Sequence, residues 1–315
     1  ATVSERRSTV SLIAPLSLRD RARARRNNGL AVGAGQGLQQ AQQRLQDIAD
    51  RRYAIADAQH KQAVAQADLA WPQRLGCGIP GCVDPQTQRV RGANTQVLNG
   101  QRLTADLSAL LGLDVRVEND ANCLALSESV DGAGAGHDLV FAVIVGTGCG
   151  GGVAIQGHVR TGRHALAGEW GHNPLPWPTE AELRAPPCWC GLQGCLETWV
   201  SGPGWSREHQ RQTGQWLTPP EIVQAMRVGN ESARRSVDAW VDRLGRGLSQ
   251  VVNLIDPDVV VLGGGLSLIP ELAQRLETVI PHHAFHRGVN TPVRLAVHGD
   301  SSGVRGAAWL ARSQP

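Results

Sequence analysis

The middle of the chain concentrates residues that bind metal ions. Cys188, Cys190 and Cys195 follow the spacing C-x-C-x4-C, and His172 lies upstream of them. Cysteine sulfur and histidine nitrogen are ligands that Zn²⁺ prefers, and a closed structural site takes four of them in a tetrahedron. The four residues therefore predict a structural zinc site. Unpaired thiols, or a disulfide between two of the cysteines, remain the alternatives, because the spacing is not that of the commonest zinc fingers.

The length and composition indicate a globular protein. With 315 residues, 41% of them hydrophobic, the chain can form two domains that each bury a core. A formal net charge of +3 indicates no particular polyanionic partner. No apolar run approaches the roughly 18 residues of a membrane helix, and no signal-peptide pattern is found. The seven cysteines are not evenly paired, which suits a reducing compartment, so we expect a cytoplasmic protein. From the charge and the lack of an apolar run, we expect it to bind neither nucleic acid nor membranes.

Two glycine-rich turns follow predicted buried strands at residues 140–145 and 259–262. Glycines let backbone N–H groups converge on phosphate oxygens, and they let a ribose approach the chain closely. A glycine-rich hairpin alone is weak evidence for phosphate binding, and the first turn is not a Walker loop, because no Gly-Lys-Ser/Thr follows. The candidate nucleotide-binding residues are Gly146, Thr147, Gly148 and Gly150 in the first turn, and Gly263, Gly264 and Gly265 in the second.

Asp120 lies where a predicted strand, residues 115–120, meets a helix that is predicted to continue through Val130. A carboxylate at such a junction can serve as the helix N-cap, or it can have a functional role. The residues alone leave both interpretations open.

Together these motifs resemble those of the ROK family, which contains sugar kinases and transcriptional repressors. The resemblance is carried by Glu169-x-x-His172, by the C-x-C-G-x-x-G-C-x-E that follows, and by the N-D-A-N block at residues 119–122. It is continuous from about Leu75 to Leu310. In finer detail, residues 146–150, 171–177 and 298–310 are similar to the bacterial fructokinase or manno(fructo)kinase branch.

The resemblance implies an α/β fold of two actin-like (ribonuclease H-like) ATPase domains with a cleft between them. It places an N-terminal lobe at residues 1–118, completed by a C-terminal helix at residues 301–315. A larger C-terminal lobe, which carries the zinc motif, is expected at residues 119–300. The N-terminal lobe is expected to be atypical or incomplete.

The resemblance also implies transfer of phosphate from ATP to a hexose, with fructose the predicted substrate and fructose 6-phosphate the product. The expected cofactors are ATP, Mg²⁺ and a structural Zn²⁺ that holds a loop against the sugar pocket. Asp120 would act as general base, a role that suits a carboxylate because phosphoryl transfer needs positioning more than strong basicity. By position in the motifs, the sugar-binding residues would be Asn94, Asn119, Asp120, Glu169, His172 and Glu197.

Residues 1 to about 73 do not carry the pattern of the family. Its members begin with a strand and a D-x-G-G-T-K loop that helps to bind Mg²⁺ and the nucleotide phosphates. The nearest glycine cluster, at residues 33–37, lacks both Asp and Lys. We predict that this segment results from a shifted reading frame or a gene-model fault and is poorly packed. A genuine but unusual lobe is the alternative.

Other functions remain open at this stage. A sugar-binding protein without catalysis is favoured by the missing loop, and a glucokinase or an N-acetylhexosamine kinase would fit the same family. A repressor would carry a helix-turn-helix ahead of a complete first lobe. The sequence leaves open the preferred hexose and whether the chain forms a homodimer.

Overall fold

A five-stranded mixed sheet lies at the centre of the part of the chain that the computed structural model describes, residues 73–269 and 271–312. The prediction for residues 1 to about 73 falls outside these residues. The strand order in the sheet is β7-β6-β5-β8-β9, with β5, β8 and β9 parallel and β6 and β7 antiparallel to their neighbours. The strands are β5 Leu139–Val145, β6 Cys149–Ile155, β7 His158–Val159, β8 Val259–Gly263 and β9 Val293–Leu295.

A smaller parallel pair precedes this sheet. Strand β1, Arg74–Ile79, pairs with β4, Asp114–Asn119, and the two end at the same edge because Ile79 lies opposite Asn119. Between them come the short hairpin of β2, Cys82–Val83, and β3, Val90–Arg91, and the helix α1, Leu103–Leu111.

The remaining helices pack around the two sheets. Helix α2 follows β4 and packs against β5 and β6, and α8 packs against α2 and β1. The long helix α6 packs against α5 and α7, and it buries Val237, Trp240, Leu244 and Leu248 at helical spacing. The helices are α2 Asp120–Asp131, α3 Glu197–Val200, α4 Gly202–Thr213, α5 Pro219–Arg227, α6 Glu231–Ile255, α7 Leu272–His283 and α8 Ser302–Arg312.

The predicted buried strands are confirmed as β5 and β8. Both are almost entirely apolar because helices or loops cover both faces of the sheet at its centre. The strand before Asp120 ends one residue earlier than predicted, at Asn119, and the helix extends one residue further, to Asp131. Among the described residues, no helix has the length and apolar character needed to span a bilayer.

A buried ion network joins α6 to the segment that follows His172. Glu182, which is 5% exposed, accepts hydrogen bonds from Arg243 at 2.7 Å and from Arg246 at 2.9 Å. Arg246 also donates to the carbonyl oxygens of Pro176 and Trp177, at 3.0 and 2.8 Å. The network therefore holds residues 176–177 on the surface of α6.

Candidate functional site

The four predicted metal ligands come together in the structure. The ligand atoms of His172, Cys188, Cys190 and Cys195 all lie within 4.8 Å of one another. Cys188 Sγ is 3.6 Å from His172 Nδ1, and Cys190 Sγ is 3.6 Å from Cys195 Sγ. A tetrahedral ion bound by sulfur at about 2.3 Å keeps its ligand atoms roughly 3.8 Å apart, so the cluster has suitable dimensions. All three cysteines are free thiols, whereas a disulfide needs sulfur atoms about 2.05 Å apart.

The segment that carries Glu169 and His172 lies directly on the backbone of β6. A β-carbon at Gly171 would lie 1.9 Å from the carbonyl oxygen of Cys149, so only glycine permits this approach. The neighbouring Trp170 is buried and meets Phe141 edge to face, with ring centroids 5.6 Å apart. Because Trp170 is anchored in the core, Glu169 and His172 are fixed on either side of it.

Asp120 is the first residue of α2 and not its N-cap. The cap is Asn119, whose Oδ1 accepts hydrogen bonds from the N–H groups of Ala121 at 2.8 Å and Asn122 at 3.3 Å. The interpretation of Asp120 as the N-cap is therefore wrong. Asn119 Nδ2 donates to the carbonyl oxygen of Gly81 at 3.0 Å, which leaves one amide hydrogen of Asn119 for a ligand.

The carboxylate of Asp120 is held on one side and open on the other. Its Oδ1 accepts the N–H of Ala121 at 2.8 Å. Within residues 73–312, as far as the structure describes them, no hydrogen bond reaches Oδ2, and the side chain is exposed to solvent. Desolvation by the surrounding protein raises the pKa of Asp120, the Ala121 N–H opposes this, and the negative charge of Glu169 adds to the rise. A raised pKa makes the carboxylate a stronger base.

Several charged side chains of the site act on Glu169. Burial raises the pKa of Glu169, His172 opposes this effect, Glu197 adds to it, and Arg91 opposes it. Two other predicted sugar-binding residues, His172 and Glu197, thus act on the charge of Glu169, and Glu169 acts on Asp120.

The two predicted nucleotide-binding turns lie side by side. They leave the same edge of the sheet because β5 and β8 are parallel neighbours. The position of a β-carbon at Gly146 is 3.7 Å from the backbone nitrogen of Gly265. Gly264 has a φ of 82°, and a β-carbon there would lie 2.5 Å from the carbonyl oxygen of Val145. Ligands of open parallel sheets bind beyond the carboxyl ends of the strands, and both turns lie there.

The other predicted residues of these turns have different surroundings. Thr147 is exposed at the tip of the first turn, and Gly263 is the last residue of β8. A β-carbon at Gly148 would lie 2.8 Å from Oε2 of Glu197. Gly150 lies within β6, beyond the turn, where its side-chain position contacts Ala121 at the start of α2.

Glu197 links the cysteine cluster to the first glycine turn. Its Oε2 accepts the backbone N–H of Cys149 at 2.9 Å, and its Oε1 accepts the indole N–H of Trp189 at 2.7 Å. Trp189 also meets His172 edge to face, with ring centroids 5.0 Å apart. The sequence analysis did not identify Trp189. Its position between two candidate ligands and near a candidate sugar-binding glutamate was the available signal.

Asn94 and Arg91 lie on the hairpin side of the site. The side chain of Asn94 is exposed, and within the described residues its hydrogen bond is with Thr95 at 3.3 Å, so the structure does not join it to the carboxylates. Arg91, which the sequence analysis also missed, pairs with Asp84 at 3.5 Å and donates to the carbonyl oxygen of His164. Arg91 thus connects β3 to the loop that precedes Glu169.

Comparisons with known proteins identify relatives of this chain. The sequence profile described as the ROK family matches residues 32–314, and so begins upstream of Leu75. An N-acetyl-D-glucosamine kinase of Escherichia coli O139:H28 is 40% identical over 259 residues, which cover 78% of this chain and 84% of that protein.

Solved structures show the same relationship. A ROK hexokinase from Thermus thermophilus has a TM-score of 0.71 at 30% identity, covering 83% of this chain and 86% of that one. A ROK family glucokinase from Streptomyces griseus, in complex with glucose and AMPPNP, has a TM-score of 0.65 at 29% identity. The match covers 82% of this chain and 88% of that one. These similarities confirm the predicted α/β fold class, which in ROK sugar kinases consists of two actin-like domains. The motifs, the fold and the extent of the match show that the chain belongs to the ROK family, and its relatives in that family include sugar kinases.

Proposed function

We propose that the chain is an ATP-dependent hexose kinase in which Asp120 is the general base. The observation that carries the proposal is the open, basic carboxylate of Asp120 at the start of α2, within electrostatic reach of Glu169. Helix α2 packs against β6, the strand that leaves the first glycine turn. This packing supports an arrangement in which the base and the nucleotide phosphates lie on the same side of the sheet.

In the proposed reaction, Asp120 accepts the proton of the attacking sugar hydroxyl. Because Oδ1 is held by the Ala121 N–H, the orientation of the carboxylate is fixed and Oδ2 is available for this proton. The hydroxyl oxygen forms a bond to the γ-phosphorus as the bond between that phosphorus and ADP breaks. The transition state of phosphoryl transfer is loose, so the fixed position of Asp120 matters at least as much as its basicity.

Glu169, Glu197 and His172 are proposed to bind the other sugar hydroxyls. His172 presents Nδ1 to Cys188, so its Nε2 can donate to a hydroxyl when Nδ1 is bound to a metal ion. Asn119 has one free amide hydrogen for the same purpose, and Asn94 remains a candidate from the sequence alone.

ATP is proposed to bind along the two glycine turns. Gly146, Thr147 and Gly148 would approach the phosphates, with Gly150 supporting the turn from β6, and residues Gly263, Gly264 and Gly265 would approach the ribose and α-phosphate. Mg²⁺ would enter with ATP and neutralise developing charge. We assign it no ligand among the described residues.

Zn²⁺ is the ion that we propose for the cluster of His172, Cys188, Cys190 and Cys195. Three sulfurs and one nitrogen at these separations fit a tetrahedral zinc site without an open position. Such an ion would have a structural role, because it would hold residues 188–195 next to His172 and the sugar-binding groups.

We propose a division into two lobes, residues 1–118 with 301–315, and residues 119–300. Helix α8 packs against β1 of the first lobe and also against α2 of the second, so α8 would lie where the two lobes meet.

Two hexoses are candidates for the substrate. Fructose is predicted by the motifs at residues 146–150, 171–177 and 298–310. N-acetylglucosamine is favoured by the name of the relative that is 40% identical over 78% of this chain. A coupled assay of ADP release with ATP and Mg²⁺ separates them when fructose, mannose, glucose and N-acetylglucosamine are compared.

The role of Asp120 is tested by Asp120→Asn. The amide retains the shape but cannot accept the proton, so turnover should fall by about 10² to 10⁴ while sugar binding changes only a few-fold. Asp106→Asn, an exposed carboxylate on α1, is the matched control. Near-normal turnover in Asp120→Asn would remove the assignment. Sugar binding by the wild type without ADP release would select the non-catalytic alternative.

A further inference from the structure

We propose that Trp189 is a positioning residue that fixes the carboxylate of Glu197 between the cysteine cluster and the first glycine turn. The expected effect on kcat/KM for ATP rests on the proposed kinase function, whereas the expected effect on hydrogen exchange in the first glycine turn does not. The cysteine cluster would thereby influence the nucleotide side of the site as well as the sugar side.

The two oxygens of Glu197 bind different parts of the molecule. Oε1 accepts the indole N–H of Trp189 at 2.7 Å, and Oε2 accepts the N–H of Cys149 at 2.9 Å. Cys149 is the first residue of β6, directly after the turn of residues 146–148. Hydrogen bonds to a charged acceptor are among the stronger ones in proteins, so the carboxylate restrains both of its partners.

The position of Trp189 is itself fixed by the cysteine loop. The N–H of Cys188 donates to the carbonyl oxygen of Leu192 at 2.8 Å, and the N–H of Gly191 donates to that of Cys188 at 3.1 Å, which closes a tight loop around Trp189. The ring meets His172 edge to face. A metal ion bound by the cluster would hold Cys188 and Cys190, which flank Trp189 in the sequence. It would also hold His172, whose ring Trp189 contacts.

The turn of residues 146–148 is held at both ends. At one end, the N–H of Gly202 donates to the carbonyl oxygen of Gly146 at 2.7 Å. At the other end, Glu197 accepts the N–H of Cys149. If the Trp189 hydrogen bond is lost, Glu197 can rotate away from the Cys149 N–H, and the second end is then restrained, among the described residues, by the pairing of Cys149 with Val145 alone. The turn would then bind phosphates with less defined geometry.

The test uses Trp189→Phe, which removes the N–H donor and keeps an aromatic ring beside His172. Trp216→Phe is the matched control, because Trp216 is 51% exposed, close to the 59% of Trp189, and lies in the loop between α4 and α5. Metal content should be equal in the wild type and both variants. We expect kcat/KM for ATP to fall about ten-fold in Trp189→Phe and to stay unchanged in the control, as for the loss of a hydrogen bond to a charged group.

Hydrogen exchange followed by mass spectrometry gives a readout that needs no substrate. Peptides covering residues 146–152 should exchange faster in Trp189→Phe than in the wild type or in Trp216→Phe. Glu197→Gln should also speed exchange, because it weakens the acceptor of the Cys149 N–H through which Trp189 acts, and the effects of the two changes should be less than additive.

The outcomes separate the two proposals. If the wild type phosphorylates none of the four sugars, the kinase function is contradicted. If Trp189→Phe then still exchanges faster than Trp216→Phe, the role of Trp189 stands. Equal exchange in Trp189→Phe and Trp216→Phe would overturn the role of Trp189, whatever the activity. Loss of the metal from Trp189→Phe would also overturn it, because Trp189 would then serve to retain the ion.

Discussion

Removing the charge of Glu182 should destabilise the fold by about 3 kcal/mol at neutral pH. Burial of Glu182 by itself would raise its pKa, but hydrogen bonds from Arg246, the Thr179 N–H and Arg243 outweigh this and lower the pKa from 4.5 to about 2. A shift of that size corresponds to about 3 kcal/mol, since each pKa unit is about 1.4 kcal/mol. Loss of one partner from a buried ion network costs a similar amount, roughly 3 to 5 kcal/mol.

The sign of the pH dependence follows from the lowered pKa. A carboxylate with a depressed pKa in the folded state stabilises the protein above its unfolded pKa, and this contribution is lost as the pH falls toward the folded value. The difference in unfolding free energy between the wild type and Glu182→Gln should therefore be complete at pH 7 and roughly 1 kcal/mol smaller at pH 4.

Urea unfolding followed by circular dichroism at several pH values measures this effect. Glu180→Gln is the matched control, because Glu180 lies in the same short turn, Glu180–Glu182, and is exposed. A Glu182→Gln variant within about 0.5 kcal/mol of the control at pH 7 would refute the reasoning. A difference that did not change between pH 7 and pH 4 would refute the assignment of the effect to this carboxylate.

Two further predictions concern the site. Cys190→Ala should lower the zinc content, the thermal stability and the sugar affinity, whereas Cys77→Ala on β1 should retain the metal. Metal analysis that finds no zinc in the wild type, with Cys190→Ala behaving normally, would contradict this. Glu169→Gln removes a negative charge that raises the pKa of Asp120, so the acid limb of the pH profile of kcat should move to lower pH. An acid limb that stays in place or moves upward would show that Glu169 does not act on the base.

Local sequence patterns predicted the elements that carry the site. Strands β5 and β8 were predictable because nearly every residue is apolar, which is the pattern of a strand buried on both faces. The end of β4 was less certain because Asn119 and Asp120 are both suited to cap a helix. Asn119 is the cap for two reasons that the local sequence does not show. The register with β1 aligns Asn119 with Ile79, and the carbonyl oxygen of Gly81 accepts a hydrogen bond from the Asn119 amide.

The candidate site was predictable where chemistry is tied to spacing. The four metal-ligand candidates follow from residue type and separation, and the structure brings them together. Trp189 and Arg91 could not be predicted in the same way. The indole of Trp189 reaches Glu197 because of the direction that its side chain takes within a tight loop, and Arg91 binds a carbonyl oxygen 73 residues away. The interpretation of residues 1–73 stays a prediction, since those residues lie outside the described ranges apart from residue 73.

The position of the proposed base depends on the last helix of the described chain. Glu128 on α2 is fully buried, and its carboxylate accepts the N–H of Val297 at 3.0 Å and the hydroxyl of Ser302 at 2.7 Å. Ser302 begins α8, so this one carboxylate ties α8 to the helix that starts with Asp120. Because a buried carboxylate is costly unless it is hydrogen-bonded, losing the contact with α8 would destabilise α2. Any displacement of α8 would therefore be transmitted through Glu128 to α2 and Asp120.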